Sequence, residues 1–247
     1  LETKMAGNFD RQITIFSPQG HLYQIEYAMK AATGGGSTAI AVRGEKTSVF
    51  IAQKKVPDRL VDPTSLSSIY KITDSIGCLL IGLSPDIRAQ VERIRYEANE
   101  FLFNNGYAIP PHALAKRIAD LSQVYTQEAS SRTLACFILL IGFDDEKGAQ
   151  VFKIDPAGHY LPYKGAAVGK FEPEAMNFLE KKVEELASMD ENSTIELAIM
   201  AMQHVLSTDF KGNEVEVAVV SEGNRFRVLS PQQIEDRVNS ISEKSDM

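Results

Sequence analysis

Nine short apolar runs, several of them only two to six residues apart, constrain this chain more than any other feature of it. They lie at 37–43, 48–53, 69–73, 76–82, 134–143, 149–154, 158–168 (broken near Pro162), 215–221 and 225–229. Gaps such as Gly44-Glu45-Lys46, residues 144–148 and Glu222-Gly223-Asn224 are too short for a parallel crossover. A crossover needs about a dozen residues, so these neighbours pair as antiparallel hairpins. Val49-Phe50-Ile51-Ala52 and the 134–143 run show no polar alternation. Such strands are covered on both faces.

The covering layers are helical. Apolar residues recur in steps of three and four at Leu22, Ile25, Met29 and Ala32; at Ile87, Val91, Ile94, Ala98 and Phe101; and at Leu114, Ile118, Leu121 and Tyr125. Further stripes are Leu179, Val183 and Leu186; Ile195, Ile199, Met202 and Leu206; and Ile234, Val238 and Ile241. This is the signature of amphipathic helices. Ser84-Pro85 reads as a cap with a first-turn proline, and Ser193 with Glu196, like Ser230 with Gln233, reads as a capping box. The helices fall into adjacent pairs, 84–104 with 111–127 and 172–187 with 191–207. One pair over each outer face of two stacked antiparallel sheets predicts an α+β, four-layer α/β/β/α sandwich, with Leu22–Ala32 as an extra helix at the front.

With 247 residues, 44% of them hydrophobic and 24% charged, the chain can bury a large core without disulfides or metals. A single domain over 1–247 is expected: an extension and extra helix over 1–36, the sandwich over 37–240 and a polar tail over 241–247. The formal net charge of −7 argues against a nucleic-acid binder, which needs a basic surface for phosphates. Cys78 and Cys136 sit inside apolar runs and read as buried free thiols of a reducing compartment. The longest apolar run, Leu134 to Phe143, is about half a membrane span. Leu1-Glu2-Thr3-Lys4 contains no apolar signal core, so a soluble intracellular protein is expected. A start at Leu1 instead of methionine points to a fragment, a tagged form or a processed one.

Few residues suggest chemistry. His21, His112, His159 and His204 have no metal-ligand spacing, so no metal site is expected. Gly34-Gly35-Gly36-Ser37-Thr38 resembles a phosphate cradle, but a helix precedes it and a strand follows. Phosphate loops run the other way, strand to helix, so the glycines read as a helix stop. Gly169-Lys170 lacks the upstream glycines of a phosphate loop, and Asp144-Asp145-Glu146 reads as a solvated loop. The aromatic stretches Phe9–Phe16 and Tyr23–Tyr27 are less easily dismissed. They must bury apolar surface against the sandwich or against a neighbouring subunit.

Phe9-Asp10-Arg11-Gln12-Ile13-Thr14-Ile15-Phe16-Ser17-Pro18-Gln19-Gly20-His21, continued by Tyr23-Gln24-Ile25-Glu26-Tyr27-Ala28, resembles the N-terminal signature of 20S proteasome alpha subunits. The resemblance continues through Gly36-Ser37-Thr38, Gln53-Lys54-Lys55-Val56, Arg117-Ile118-Ala119-Asp120, Gln123-Val124-Tyr125-Thr126-Gln127 and Asp155-Pro156-Ala157-Gly158, over essentially the whole chain. Phe9 and Lys54-Lys55-Val56-Pro57-Asp58 are similar to the eukaryotic member that occupies the alpha1 ring position. The resemblance implies a four-layer sandwich of the N-terminal nucleophile hydrolase type. It also implies a non-catalytic ring and gate subunit that serves ubiquitin-dependent protein degradation in cytoplasm and nucleus. Its partners would be neighbouring alpha subunits, beta-ring subunits and the C-terminal tails of activators. No cofactor, nucleic acid or membrane is implied.

Position by position, the place of the catalytic threonine of the beta relatives falls at Ser37, that of the supporting aspartate at Gln53 and that of the lysine near Ser68. Ser37 lies inside the chain and has an amide, not a basic amine, so no catalytic residue is expected. Phe9, Asp10, Pro18 and Tyr27 match the cluster that holds the gate tails open, although Phe9 lacks the phenol hydroxyl of the usual tyrosine. Gly36 and Leu83 match walls of the pocket that receives activator tails. The lysine of that pocket is replaced by Ser68, which implies weak docking here; Lys71 is nearby but should point to the opposite side. Two rival readings are an active hydrolase after processing at Ser37 and a small-molecule enzyme, for which no convergent polar motif is present.

Overall fold

The computed structural model describes residues 9–58, 60–207 and 210–245. Among them are two five-stranded sheets, antiparallel throughout, and seven α-helices. In chain order they are α1 (Tyr23–Thr33), β1 (Thr38–Arg43), β2 (Thr47–Gln53), β3 (Ile69–Lys71), β4 (Ile76–Gly82), α2 (Ser84–Asn105) and α3 (Pro111–Gln127). There follow β5 (Cys136–Asp144), β6 (Gly148–Ile154), β7 (Tyr160–Pro162), β8 (Gly165–Gly169), α4 (Glu172–Glu180), α5 (Val183–Leu186), α6 (Glu191–Leu206), β9 (Val215–Ser221), β10 (Asn224–Val228) and α7 (Pro231–Ser245). A 3-10 turn at Pro63–Ser65 precedes β3.

The first sheet has the order β10-β9-β2-β1-β8 and the second β3-β4-β5-β6-β7. Strand parity assigns every apolar residue to a layer. Ala39, Ala41, Phe50, Ala52 and Ala218 of the first sheet meet Leu79, Leu139, Ile141 and Val151 of the second in the central core. Four of these five first-sheet residues are alanines, and they pack with Phe50 against the larger aliphatic side chains of the second sheet. The opposite parity, Ile40, Val49, Ile51 and Val217, faces Ala198, Ile199 and Met202 of α6. Cys78, Leu80, Ile138 and Leu140 face Ile94, Leu114 and Ile118 of α2 and α3. Each fully buried side chain of this size contributes about 1.5–3 kcal/mol. This is the four-layer arrangement that the periodicity predicts, with α1 packed on β4, β5 and β8 at one end of the central core. Among the described residues no helix is long and apolar enough to cross a membrane.

Several boundaries differ from the sequence reading. The seventh run is two strands in different sheets. β7 edges the second sheet and β8 the first, and the chain crosses between them at Tyr163-Lys164. Backbone bonds anchor the crossing on both sides, from Tyr163 N to Val151 O (2.8 Å) and from Arg43 N to Lys164 O (2.8 Å). The 172–187 helix is interrupted at Lys181-Lys182 into α4 and α5. α7 runs to Ser245, through most of the expected polar tail, because Ile241 still packs on the core. The expected N-terminal tail is described only from Phe9 onward; residues 1–8 lie outside the described residues.

The helix starts are also displaced. α2 begins at Ser84 itself, with Leu83 at the cap position and no side-chain cap. α6 begins three residues earlier than the Ser193 box implies. The Asp190 carboxylate accepts from Ser193 N (2.9 Å) and Thr194 Oγ1 donates to Asp190 O (2.6 Å). The Ser193 hydroxyl, and after it the Ser193 backbone N–H, hold the Asp190 carboxyl below the ordinary carboxylate range. Asp190→Ala is therefore expected to speed amide hydrogen exchange at Ser193 and Thr194, whereas Ser193→Ala should leave it nearly unchanged. Equal effects of the two would return the cap to Ser193. The Ser230 box is as read: Ser230 N donates to Gln233 Oε1 (2.9 Å) and Gln233 N to Ser230 Oγ (3.3 Å).

Candidate functional site: the cleft at the start of β1

Where α1 hands over to β1, the chain needs a sharp reversal. Gly34 closes the helix, and Gly36 takes a left-handed φ of +69°, a conformation costly for other residues. Ser37 follows with its nitrogen in a peptide bond, and Ser37 O accepts from Lys170 N (3.2 Å). A cleft of about 460 Å³ opens beside this turn. Its walls bring together Gly35, Ser37, Gln53, Ser68, Gly82 and Ser84, that is, Ser37, Gln53 and Ser68 themselves and the immediate neighbours of Gly36 and Leu83. These positions, scattered along the sequence, meet because β1, β2, β3, β4 and β9 all begin or end here.

Ser37, Gln53 and Ser68, the residues that the resemblance sets at the catalytic places, carry a hydroxyl, an amide and a hydroxyl. Ser37 has a hydroxyl and no α-amine. The Gln53 amide oxygen is buried with no hydrogen-bond partner, and it is not a carboxylate. Ser68 donates its backbone N–H to Glu216 Oε2 (3.0 Å) and accepts at its carbonyl from Leu80 N (3.0 Å). Lys71 does not line the cleft; its ammonium pairs with Asp74 (2.6 Å). The charges that do line the cleft come from residues to which the sequence reading gave no role. Lys54 Nζ lies 3.4 Å from Glu216 Oε1, Lys55 Nζ donates to Gly36 O (2.6 Å), and Arg88 stands at the rim. Glu216 had one faint signal, a lone acid in Val215-Glu216-Val217 on the parity of the central core.

Over its described residues, from Phe9, the extension is tied to α1. Gln24 Nε2 donates to Asp10 O, whereas Asp10 Oδ1 is buried without a partner. Pro18 is in a turn closed by Gly20 N to Ser17 O (2.9 Å), and His21, Tyr23 and Tyr27 stack in series. Within the described chain, no hydrogen bond or ring contact joins Phe9, Asp10, Pro18 and Tyr27 to one another. Ile15, Phe16 and Tyr27 are exposed, Phe16 by 63%.

Elsewhere the chemistry is sparse. Among the described residues no group of three or more His, Cys, Asp or Glu could hold a metal. Both cysteines are free and buried, and burial pushes the Cys136 thiol up to about 12 and Cys78 higher still, so neither is a nucleophile at neutral pH. A cleft of about 640 Å³ at the opposite ends of the strands is lined by His112, 3.6 Å from Asp144, and by the hydroxyl-bearing Ser75, Tyr107 and Ser221.

Comparison with known proteins agrees with this architecture. Residues 33–220 match the family model "Proteasome subunit", and residues 9–31 match the model of the N-terminal signature of A-type proteasome subunits. The chain is 43% identical over 240 residues to "Proteasome subunit alpha type-6" of Caenorhabditis elegans, covering 97% of this chain and 98% of that one. It is 45% identical over 240 residues to "Probable proteasome subunit alpha type-1" of Schizosaccharomyces pombe, with the same coverage. "Proteasome subunit alpha" of Methanococcus maripaludis (strain C7) is 35% identical over 240 residues, 97% of this chain and 91% of that one. The sandwich, the N-terminal signature and relatives matched over nearly their whole length place this chain in the proteasome subunit family, among its alpha-type members.

Proposed function

We propose that this chain is a non-catalytic subunit of the outer alpha ring of the 20S proteasome core, in cytoplasm and nucleus. It builds the ring with neighbouring alpha subunits, seats on the beta ring, and contributes to the substrate gate and the docking surface for regulatory particles in ubiquitin-dependent degradation. The observation that carries the non-catalytic reading is Ser37. An N-terminal nucleophile needs its own α-amine as base, and here that nitrogen is a peptide amide held in a turn behind α1. Gln53 and Ser68 supply neither the carboxylate nor the ammonium that would support it.

The exposed Ile15, Phe16 and Tyr27 give the extension an apolar face of the kind that subunit contacts bury. Phe9, Asp10, Pro18 and Tyr27 are the gate residues, with Phe9 contributing packing but no hydroxyl bond. The cleft beside Gly36, Ser68 and Leu83 is the activator-tail pocket, and with serine at 68 it docks chain ends weakly. Treating the assembled particle with a peptide epoxyketone tests the catalytic part. The warhead is expected to modify other chains, and the mass of this one should retain the residues before Ser37. An adduct on Ser37 or Thr38, or a chain beginning at Ser37, would make it an active hydrolase instead.

A further inference from the structure

We propose that Glu216 is a built-in occupant of the tail pocket: its carboxylate fills the place that an incoming chain-end carboxylate would take. The proposal rests on the reading of this cleft as a tail pocket. Glu216 is on β9 in the first sheet, facing inward, and reaches across to the segment that leads into β3 in the second. Its Oε2 accepts from Ser68 N (3.0 Å) and Ser67 Oγ (3.1 Å), and its Oε1 lies 3.4 Å from Lys54 Nζ. A backbone N–H, a hydroxyl and an ammonium are the donors that a terminal carboxylate needs. All three are already taken.

The electrostatics point the same way. The Glu216 and Lys54 side chains are only 14% and 16% exposed, so water and salt screen them poorly. A second carboxylate brought to Ser68 would meet an acid of like charge at short range. Lys55 and Arg88 line the same cleft, and neither has a carboxylate within ion-pair distance among the described residues. They can draw an anion to the rim, but the donors behind them are occupied. A lysine placed at 68 would arrive beside Glu216 and be neutralised by it. The missing lysine is therefore only half of the reason for weak docking, and restoring it alone should do little.

The test uses the assembled particle and a photo-crosslinking peptide, with its C-terminus either a free carboxylate or an amide. Crosslinks to this chain are counted by mass spectrometry, so other pockets of the ring do not contribute. Glu216→Gln keeps an oxygen for Ser68 N and Ser67 Oγ, removes the charge and frees the Lys54 ammonium. It should raise crosslinking of the free-carboxylate peptide roughly ten-fold, the size of one well-placed charge contact, and leave the amide unchanged. Ser68→Lys alone should stay within about two-fold of wild type, and Ser68→Lys with Glu216→Gln should exceed either. Glu216→Asp, which keeps the charge but loosens the packing, should remain at the wild-type level. Equal gains for both peptides, or a gain with Glu216→Asp, would assign the effect to loosened packing and overturn the proposal. A gain with Ser68→Lys alone that Glu216→Gln does not share would overturn it while leaving the tail-pocket reading intact. No crosslink to this chain in any variant, the double one included, would overturn the tail-pocket reading and the proposal with it.

Discussion

Asp86→Ala is expected to destabilise the chain by about 3 kcal/mol, the loss of a buried charged acceptor together with the stranding of a buried donor. Asp86 is 4% exposed, near the start of α2. It accepts two bonds from the Arg132 guanidinium (2.6 and 2.7 Å) and one from Ala135 N (2.8 Å). One carboxylate thus fixes the first turn of α2 to the approach of β5, and removing it leaves a buried N–H unpaired. For a chain of this length the loss corresponds to about 6–12 °C in the melting temperature. Asp86→Asn can still accept from Ala135 N and should cost less. The Arg132 guanidinium, more than any other group, holds the Asp86 carboxyl below the ordinary carboxylate range. A depressed pKa adds stability above the unfolded value of about 3.9, and that stability is lost as pH falls through the folded value. Asp86→Asn should therefore flatten the acid side of the stability profile and leave its shape near neutrality unchanged. A denaturation midpoint for Asp86→Ala within experimental error of wild type would sink this account.

How much of this was legible in the residues depended on how far apart the interacting groups are. Strands such as Thr47–Gln53 and Cys136–Asp144 were readable because burial on both faces leaves an unbroken apolar run. Helix pairs were readable because a three-four stripe is local. Helix starts were misplaced where several caps compete within one turn. Ser193 has a glutamate three residues on, yet Asp190 wins because its carboxylate reaches the Ser193 amide directly. The assignment of β7 and β8 to different sheets was not legible, since nothing in either strand distinguishes one sheet from the other. The same holds in the cleft. Ser37, Gln53 and Ser68 could be located by matching motifs, which are contiguous. Glu216 stands 148 residues from Ser68, and only the pairing of β9 with β2 brings its carboxylate there.

The cleft also depends on one backbone position outside it, and Gly169→Ala is expected to cost about 4 kcal/mol, from backbone strain and a close contact together. Gly169 pairs with Thr38 at the end of β8 and has φ +109°, a conformation open to glycine and strained for alanine. A Cβ there would lie 2.1 Å from Ser37 O, a backbone atom with no rotamer to yield. Relief requires β1 and β8 to part at the point where Lys170 N bonds Ser37 O (3.2 Å) and Phe171 N bonds Thr38 Oγ1 (3.2 Å). Gly148→Ala is the matched control. It also has a positive φ, +68°, but a Cβ there meets nothing within 4 Å, so only the local strain of about 1 kcal/mol is expected. Denaturant midpoints of the two variants separate the contact from the strain, and equal losses would show that the Ser37 carbonyl gives way. If the difference is as large as expected, Gly169 is what holds Ser37, the Gly36 turn and the Lys55 bond to Gly36 O in one geometry. The variant should then lose binding at the cleft as well as stability.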